Sequence, residues 1–245
     1  MKILIVEDES VIAEGLKFNF EQEGYVPLVA ADGQTALDLI SDPEQDIDVI
    51  ILDLMLPGMS GYDVCKKIRE ITPQVPILVL SARTLSEDKT QAFDLGADQY
   101  MTKPFALPEL LSRVRNLVER HPKSEQATKK KPRVNLGPPV PDQYELGKSI
   151  IDFSKFQIRH EGEVESLTTM EIQLLKYFIQ NEGRVLSRTQ ILEDVWNQNA
   201  EISTRTIDNF VLRLRKMIEE NSANPQHIVS VRGTGYQFFK TTQRS

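Results

Sequence analysis

The sequence predicts an α/β domain with a parallel sheet, followed by a smaller α+β domain. Five short apolar runs alternate with stretches of helical periodicity in the first half of the chain, as expected for successive βα units. From residue 121 to residue 143 this periodicity stops, and lysine and proline become frequent. The second half shows short strand-like runs, helices and a glycine-containing hairpin. A chain of 245 residues can hold two domains, which we place at 1–120 and 144–245 with a flexible linker at 121–143.

The first domain is predicted to contain five strands and five helices. We place the strands at 3–6, 26–30, 49–52, 77–80 and 99–102, and the helices at 11–23, 34–40, 61–71, 87–95 and 108–120. This (βα)5 pattern requires a five-stranded parallel sheet that helices cover on both faces. Pro27 lies in the second strand and cannot donate a ladder hydrogen bond, so that strand belongs at a sheet edge. The strand order 2-1-3-4-5 places it there and brings the ends of strands one and three side by side.

Charged residues follow three of these strands. Glu7 and Asp8 come directly after the first strand, Asp53 after the third, and Lys103 after the fifth. Ligands of open α/β sheets bind outside the carboxyl ends of the strands, so these side chains are expected to converge at one edge. Taken alone, the acids after the first strand would equally suit the amino terminus of a helix, which favours negative charge. Glu9, one place further on, is assigned to that helix start.

The charge is divided unevenly along the chain. Residues 1–120 contain 11 Lys and Arg against 21 Asp and Glu, a net charge of −10, whereas residues 121–245 contain 18 against 15, a net charge of +3. Only the second half therefore suits a polyanion such as DNA. No apolar stretch approaches the roughly 20 residues needed to cross a bilayer, and no secretory signal is recognisable. The sequence predicts a cytoplasmic protein without a membrane partner, with Cys65 packed inside a helix.

Several separated motifs in the first half resemble those of the receiver domain of two-component signalling. They are the acids after the first strand and residues 52–61, 80–83 and 96–105, and the resemblance covers nearly all of residues 1–120. It implies that Asp53 accepts a phosphoryl group from a sensor histidine kinase. It also implies that Mg²⁺ binds to Glu7, Asp8, Asp53 and the backbone carbonyl of Met55, which are the oxygen ligands this ion requires. Many receivers have Asp at the position of Glu7, so one ligand arm is longer here.

The same resemblance assigns roles in a conformational switch. Lys103 supplies positive charge to the phosphoryl group, and its bond to Pro104 resembles a cis peptide of the family, an isomer that the sequence cannot establish. Ser81 is drawn to the phosphoryl group through its hydroxyl, while Tyr100 is an aromatic rotor that fills the vacated space. The switch leads to a homodimer, and its charged face is assigned by the resemblance to Lys89, Asp98, Glu109 and Arg113. Gln99 stands where an acid often partners that arginine.

The second half is predicted to contain a small antiparallel sheet, three helices and a terminal hairpin. The strands are placed at 144–146, 150–153, 157–159 and 163–166, the last two helices at 187–196 and 203–220, and the hairpin at 229–239. Thr168 and Glu171 form a capping box that opens the first helix. The last helix has an apolar stripe at Ile207, Val211, Leu214 and Ile218. A basic stripe lies nearly opposite, at Arg205, Asn209, Arg213 and Lys216.

A basic stripe on a helix is usually no more than a solvated surface, but the chain around it resembles a known DNA-binding domain. Residues 144–239 are similar to the winged helix-turn-helix domain of the OmpR/PhoB family, through residues 167–175, 188–196, 205–208, 214–216 and 231–236. The helix from residue 203 is then the recognition helix, which enters the major groove of double-stranded promoter DNA.

The resemblance also assigns individual DNA contacts. It makes Asn209 and Arg213 base readers, whereas phosphate or positioning contacts are assigned to Trp196, Arg205, Thr206 and Lys216, and a wing contact to Thr234. Trp196 would equally suit a core aromatic. Phe210 and Gln237 depart from common members, which have polar and basic residues there. The loop at 197–202 stands where family members contact RNA polymerase.

The predicted function is that of a transcriptional regulator activated by phosphorylation, in which the receiver dimerises and the winged helices bind promoter DNA. A regulator that binds DNA without phosphorylation is one alternative, although Asp53, Lys103, Ser81 and Tyr100 form a complete set. An enzyme of the aspartyl-phosphate phosphatase type is another, but such enzymes need an acid two residues after the nucleophile, and that position is Met55. An output domain that binds RNA or protein is a third. We therefore expect no enzyme activity beyond the receiver's own phosphorylation and dephosphorylation.

Overall fold

A computed structural model describes residues 1–120, 140–196 and 205–241, without the side chains of Arg120 and Arg205. The chain divides into two compact units. Most of the predicted linker, including its basic run, and the predicted polymerase loop lie outside the described residues. Among the helices that are described, none has the length and apolar character needed to span a membrane.

The first unit is a parallel sheet with helices between successive strands. Its strands are β1 (Lys2–Val6), β2 (Val26–Ala30), β3 (Val49–Leu52), β4 (Ile77–Ser81) and β5 (Gln99–Thr102). Its helices are α1 (Ser10–Gln22), α2 (Gly33–Ser41), α3 (Gly61–Ile71), α4 (Ser86–Asp94) and α5 (Leu107–Arg120). The order β2-β1-β3-β4-β5 and the parallel pairing confirm the predicted topology.

The core of this unit is the central part of the sheet. Every residue of β3 and β4 is buried, because helices cover both faces of the sheet. Pro27 pairs with Ile3 on the edge strand β2, which confirms its predicted position. Cys65 is fully buried in α3, as its place in the helical pattern predicted.

A glycine sets the close approach of α3 to the end of β3. A Cβ atom on Gly61 would overlap the carbonyl oxygen of Asp53 and the Cα atom of Leu54. The Gly61 amide also donates a hydrogen bond to the Leu54 carbonyl over 3.2 Å. Because any side chain at residue 61 would force the helix away, this glycine allows α3 to begin directly behind Asp53.

The second unit contains two antiparallel sheets around three helices. The four-stranded sheet is formed by β6 (Gln143–Leu146), β7 (Ser149–Asp152), β8 (Gln157–His160) and β9 (Glu163–Ser166). The helices α6 (Thr169–Gln180), α7 (Arg188–Trp196) and α8 (Arg205–Ile218) follow, and β10 (Val185–Ser187), β11 (Ile228–Val231) and β12 (Gly235–Phe238) form the second sheet. The sequence did not predict β10, because three residues are too few to show a period.

Two predicted features fix the helices of this unit. Thr168 Oγ1 accepts a hydrogen bond from the Glu171 amide, and Glu171 Oε2 accepts one from the Thr168 amide over 2.8 Å, so the capping box is confirmed. The stripe predicted in α8 is also confirmed, since Ile207, Val211 and Leu214 are buried with Ile218. Burial of this stripe leaves the opposite side of α8 facing outward.

Candidate functional site

Acidic side chains and one lysine converge at the carboxyl ends of β1, β3 and β5, as predicted. Lys103 Nζ lies 2.6 Å from Asp53 Oδ2 and 2.8 Å from each carboxylate oxygen of Glu7. One carboxylate oxygen from each of Glu7, Asp8 and Asp53 can be chosen so that all three lie within 4.8 Å of one another. Asp8 is exposed to solvent, whereas Glu7 and Asp53 are buried.

Backbone contacts hold the two strand ends together. The Asp53 amide donates to the Val6 carbonyl over 2.9 Å, and Asp53 Oδ1 accepts a hydrogen bond from the Met55 amide over 2.9 Å. The Lys103 amide donates to the Ser81 carbonyl over 2.8 Å, and the Lys103-Pro104 bond is cis. Glu9 is the N-cap residue of α1, in agreement with its predicted place at the helix start.

Burial and neighbouring charges both shift the pKa values of Glu7 and Lys103. Burial raises the pKa of Glu7, although the hydrogen bond and charge of Lys103 oppose this effect. Burial also works to lower the pKa of Lys103, but the hydrogen bonds and charges of Asp53 and Glu7 together outweigh it, so the pKa of Lys103 is raised. The three clustered carboxyl groups of Glu7, Asp8 and Asp53 fit a divalent cation that prefers oxygen ligands.

The two residues assigned to the switch are buried beside the loop after β4. Ser81 is fully buried, and its Oγ accepts a hydrogen bond from the Arg83 amide over 3.3 Å. The Tyr100 ring is turned inward, and its hydroxyl donates to the Arg83 carbonyl over 2.8 Å. Both side chains therefore contact the same short segment of the loop.

The prediction that Asp98 contributes to an exposed dimer face is wrong. Asp98 is fully buried, and its Oδ2 accepts hydrogen bonds from Arg69 Nη2 over 2.5 Å and from the Ile77 amide over 2.8 Å. The carboxylate is held in the interior of the first unit, where it compensates the charge of the buried Arg69 guanidinium, so it is not available to a second copy. Arg113 is also buried and pairs with Glu109 along α5 over 2.5 Å. Lys89 Nζ lies 5.8 Å from the centre of the Tyr100 ring.

In the second unit, the predicted DNA contacts differ widely in exposure. Lys216 on α8 and Thr234 at the tip of the hairpin between β11 and β12 are exposed. Asn209 is half-buried, and its Nδ2 is buried without a hydrogen-bond partner among the described residues. The side chain of Arg205 lies outside the described residues. Lys216 and Thr234 are therefore the two predicted contacts that the structure presents openly to a partner.

Two residues predicted to make phosphate or positioning contacts, Trp196 and Thr206, are buried, which contradicts a direct phosphate contact of either side chain. Trp196 exposes 1% of its surface and packs edge-on against Phe210, with the ring centres 5.1 Å apart. This large ring fills the core between α7 and α8, which is the alternative that the sequence left open. Thr206 exposes 5% of its surface in the first turn of α8. Its side chain is thus covered by the domain itself.

Arg213 is engaged within the domain. Its Nε lies 3.0 Å from Glu171 Oε1, and the Glu171 side chain is fully buried. The same carboxylate closes the capping box of α6 through its other oxygen. Arg213 therefore joins α8 to α6, and a base contact would require it to leave this ion pair.

A second set of contacts joins α8 to the hairpin. Asp208 Oδ1 accepts hydrogen bonds from Arg188 Nε over 2.8 Å and from the Tyr236 hydroxyl over 2.6 Å. Arg215 donates to the Ile228 carbonyl and to Ser230 Oγ. These bonds fix the orientation of the hairpin relative to the outer side of α8.

Two exposed residues near this surface were missed by the sequence interpretation. Leu212 exposes 48% of its surface on the outer side of α8. Arg232 is exposed two residues before Thr234 at the hairpin tip. The positive charge of Arg232 could have predicted an exposed residue that contacts DNA. Leu212 gave no such indication, because a leucine in a helix usually predicts a core position.

Comparisons with known proteins agree with both units. Residues 3–115 match the family model of the response regulator receiver domain, and residues 162–238 match that of the C-terminal part of transcriptional regulatory proteins. The sensory transduction protein RegX3 of Mycolicibacterium smegmatis is 39% identical over 235 residues, which cover 96% of this chain and 97% of that protein. RegX3 of Mycobacterium tuberculosis is 38% identical over the same coverage.

A solved structure supports the fold. A mutant of RitR has a TM-score of 0.74 and 23% identity, and the match covers 98% of this chain and 99% of that one. At this identity the likeness supports the fold alone. Together with the two family models and the similarity to RegX3 over nearly the whole chain, the convergent acids and the winged second unit have one interpretation. The chain belongs to the OmpR/PhoB-type response regulators, phosphorylation-activated transcription regulators in which a receiver domain is joined to a DNA-binding domain.

Proposed function

We propose that Asp53 accepts a phosphoryl group from a sensor histidine kinase and that the modified receiver pairs with a second copy on promoter DNA. The observation that carries the proposal is the cluster at the strand ends, where the Asp53 carboxylate lies 2.6 Å from Lys103 Nζ beside Glu7 and Asp8. The protein acts in the cytoplasm, where promoter DNA is accessible.

The first step is an attack by a carboxylate oxygen of Asp53 on phosphorus. A P–O bond forms while the P–N bond to the donor histidine breaks, and the electron pair of that bond stays on the imidazole nitrogen. Two anions approach each other in this step, so positive charge and positioning supply most of the catalysis. Lys103 already contacts Asp53 Oδ2, and it can follow the negative charge onto the phosphoryl oxygens.

Glu7, Asp8 and Asp53, with the Met55 carbonyl, would hold Mg²⁺ beside the reacting oxygen. When bound, this ion supplies further positive charge against the phosphoryl group. Glu7 is shared between this role and Lys103, since both of its oxygens lie 2.8 Å from Nζ. The receiver thereby promotes only its own phosphorylation and dephosphorylation. A phosphatase lacks support, because the residue two places after Asp53 is Met55, which cannot protonate a leaving group.

Labelling of the full-length chain tests this proposal. Wild type and Asp53→Asn are incubated with acetyl phosphate and Mg²⁺, and intact mass and oligomeric state are followed. Wild type is expected to gain one phosphoryl group and to dimerise, whereas Asp53→Asn gains none. Asp63→Asn is the matched control, because Asp63 is an exposed acid in the first turn of α3 and should label like wild type. Equal labelling of Asp53→Asn, or an unlabelled wild type, would contradict the assignment.

The dimer is proposed to use the face that carries Lys89 and Glu109. A pair between Lys89 of one copy and Glu109 of the other would be an exposed ion pair worth about 0 to 1 kcal/mol, and symmetry supplies it twice. Lys89→Glu or Glu109→Lys should weaken the phosphorylated dimer by up to roughly thirtyfold, and the double variant should restore it. Additive losses in the double variant would show that the two side chains do not meet.

DNA recognition is proposed to use α8 in the major groove and the hairpin beside it, with RNA polymerase as the partner of the bound dimer. Arg213 is the proposed base reader, and its ion pair with Glu171 makes a specific test possible. Arg213→Ala should lose about 1 to 3 kcal/mol at one base position. Glu171→Gln keeps an oxygen for the Thr168 amide but removes the charge that holds Arg213, so it should strengthen binding at that position.

Binding to operator variants at several salt concentrations separates base reading from phosphate contact. Lys216→Ala is the control, because loss of a phosphate contact weakens binding uniformly and reduces the salt dependence. If Arg213→Ala behaves in the same uniform way, Arg213 contacts phosphate. Preference for RNA of the same sequence over DNA would instead support an RNA-binding output.

A further inference from the structure

An exposed position on α8 is occupied by an apolar side chain, Leu212. Among residues 206–218, only Leu212 and Lys216 are exposed. Leu212 belongs to a stripe at residues 205, 209, 212 and 216, whose spacing of four, three and four repeats that of the buried stripe on the opposite side. Its nearest neighbours on the helix surface are polar, namely Asp208, Asn209, Arg215 and Lys216. Leu212 is therefore an isolated apolar residue in the middle of a polar surface.

The charged neighbours of Leu212 on the hairpin side are held by the domain. Asp208 accepts hydrogen bonds from Arg188 and Tyr236, and Arg215 is bound to the Ile228 carbonyl and Ser230. Neither side chain can extend outward without breaking these bonds. On this side of α8, Leu212 is thus the side chain that faces whatever the helix approaches.

We infer that Leu212 recognises the C5-methyl group of a thymine in the major groove. This inference rests on the proposed function, because it requires α8 to enter the groove. The only apolar group that a base pair presents there is the thymine methyl, and apolar side chains contact it in major-groove complexes. Burial of that methyl against Leu212 removes apolar surface of both partners from water. Lys216, one turn further along the helix, is exposed and free to neutralise a phosphate beside the same base.

The test removes the methyl group from the DNA and the side chain from the protein. A binding site is first selected from random duplexes with the phosphorylated full-length chain. Each thymine of the site is then replaced singly by deoxyuridine, which differs by the C5-methyl group alone. Wild type is expected to lose roughly three- to fivefold in affinity at one thymine of each half-site. Leu212→Ala removes the contact from both half-sites of the dimer, so it should bind the thymine site roughly nine- to twenty-fivefold more weakly, and replacement of either thymine should no longer matter.

Lys216→Ala is the matched control. It should bind all duplexes more weakly but keep the full sensitivity to the thymine methyl. Because Leu212 is exposed, Leu212→Ala should keep the thermal midpoint of wild type, and this is measured in parallel. Methyl sensitivity that survives in Leu212→Ala, or is absent from wild type at every thymine, would overturn the inference while leaving DNA binding intact. Failure to select any site would instead refute the proposed function itself.

Discussion

Removal of the buried Asp98 carboxylate should destabilise the receiver domain and leave the DNA-binding domain unaffected. Asp98 lies at the junction of β5 with its neighbours, where its Oδ2 accepts hydrogen bonds from Arg69 and from the Ile77 amide. Arg69 in turn donates to the carbonyls of Gly96 and Val75. One ion pair therefore joins α3 to the beginnings of β4 and β5.

The magnitude follows from the burial of both partners. Breaking a buried pair by removing one member costs about 3 to 5 kcal/mol, because the other charge is left uncompensated. Arg69 exposes 11% of its side chain and keeps its carbonyl partners, so the lower end, about 3 kcal/mol, applies to Asp98→Ala. Asp98→Asn keeps an acceptor oxygen for Ile77 but loses the charge, and about 1 to 2 kcal/mol is expected.

Two optical signals of the full-length chain separate the domains. Trp196 is the single tryptophan of the sequence and lies in the core of the DNA-binding domain, so its fluorescence reports on that domain. Far-ultraviolet circular dichroism reports on both. With a urea m-value of about 2 kcal/mol per molar, Asp98→Ala should lower the receiver midpoint by about 1.5 M and leave the fluorescence midpoint unchanged.

Asp63→Ala is the control, because it removes an exposed acid from α3. It should leave both midpoints where they are in wild type. If the receiver midpoint of Asp98→Ala also stays within about 0.3 M of wild type, the argument from buried charge is refuted. A matching fall of the fluorescence midpoint would show that the effect is not confined to the receiver.

Three further outcomes are expected. Thr168→Ala removes the cap of α6 and should lower the stability of the DNA-binding domain by about 1 kcal/mol in fluorescence-detected unfolding, whereas Thr168→Ser should not. Ser81→Ala should still be phosphorylated at Asp53, but the labelled protein should remain monomeric in size-exclusion chromatography. Burial and the hydrogen bond from its hydroxyl to Asp208 raise the pKa of Tyr236 to about 12 from an ordinary value of 10. Stability from this group is complete below pH 10 and is lost as the pH rises towards 12, so alkaline unfolding should be less steep in Tyr236→Phe.

The sequence predicted the fold of the receiver almost completely because strand-like and helical segments alternate regularly over the whole domain. Each strand is a short apolar run that ends at a charge or a turn, and Pro27 alone was enough to assign the edge strand. The position of Lys103 beside Asp53 followed from the parallel sheet, since strands of one direction end at one edge. The strand order was therefore sufficient to predict that residues distant in the sequence lie together at this edge of the sheet.

The error at Asp98 has a different origin. The family resemblance assigned it to the dimer face, but its partner Arg69 lies 29 residues earlier, on α3. Neither residue shows from its own neighbourhood that the two meet inside the domain. Trp196 is a similar case, since its packing against Phe210 depends on the crossing of α7 and α8. A contact between side chains of two distant elements can be predicted only when the packing of those elements is known. The convergence of residues at strand ends can be predicted from the strand order alone.

The outer surface of α8 carries an exposed residue that the sequence interpretation did not consider. A spacing of four, three and four from residue 205 reaches residue 212, but the sequence interpretation followed the basic stripe, and the family resemblance assigned base reading to Asn209 and Arg213. In the structure, Arg213 turns towards Glu171 while Leu212 points outward. An apolar residue on a helix ordinarily indicates core, and on a helix that enters a groove the same residue type suits a thymine methyl. The burial of the opposite stripe distinguishes these two interpretations. Because that stripe already packs in the core, Leu212 on the other side of α8 cannot also be a core residue.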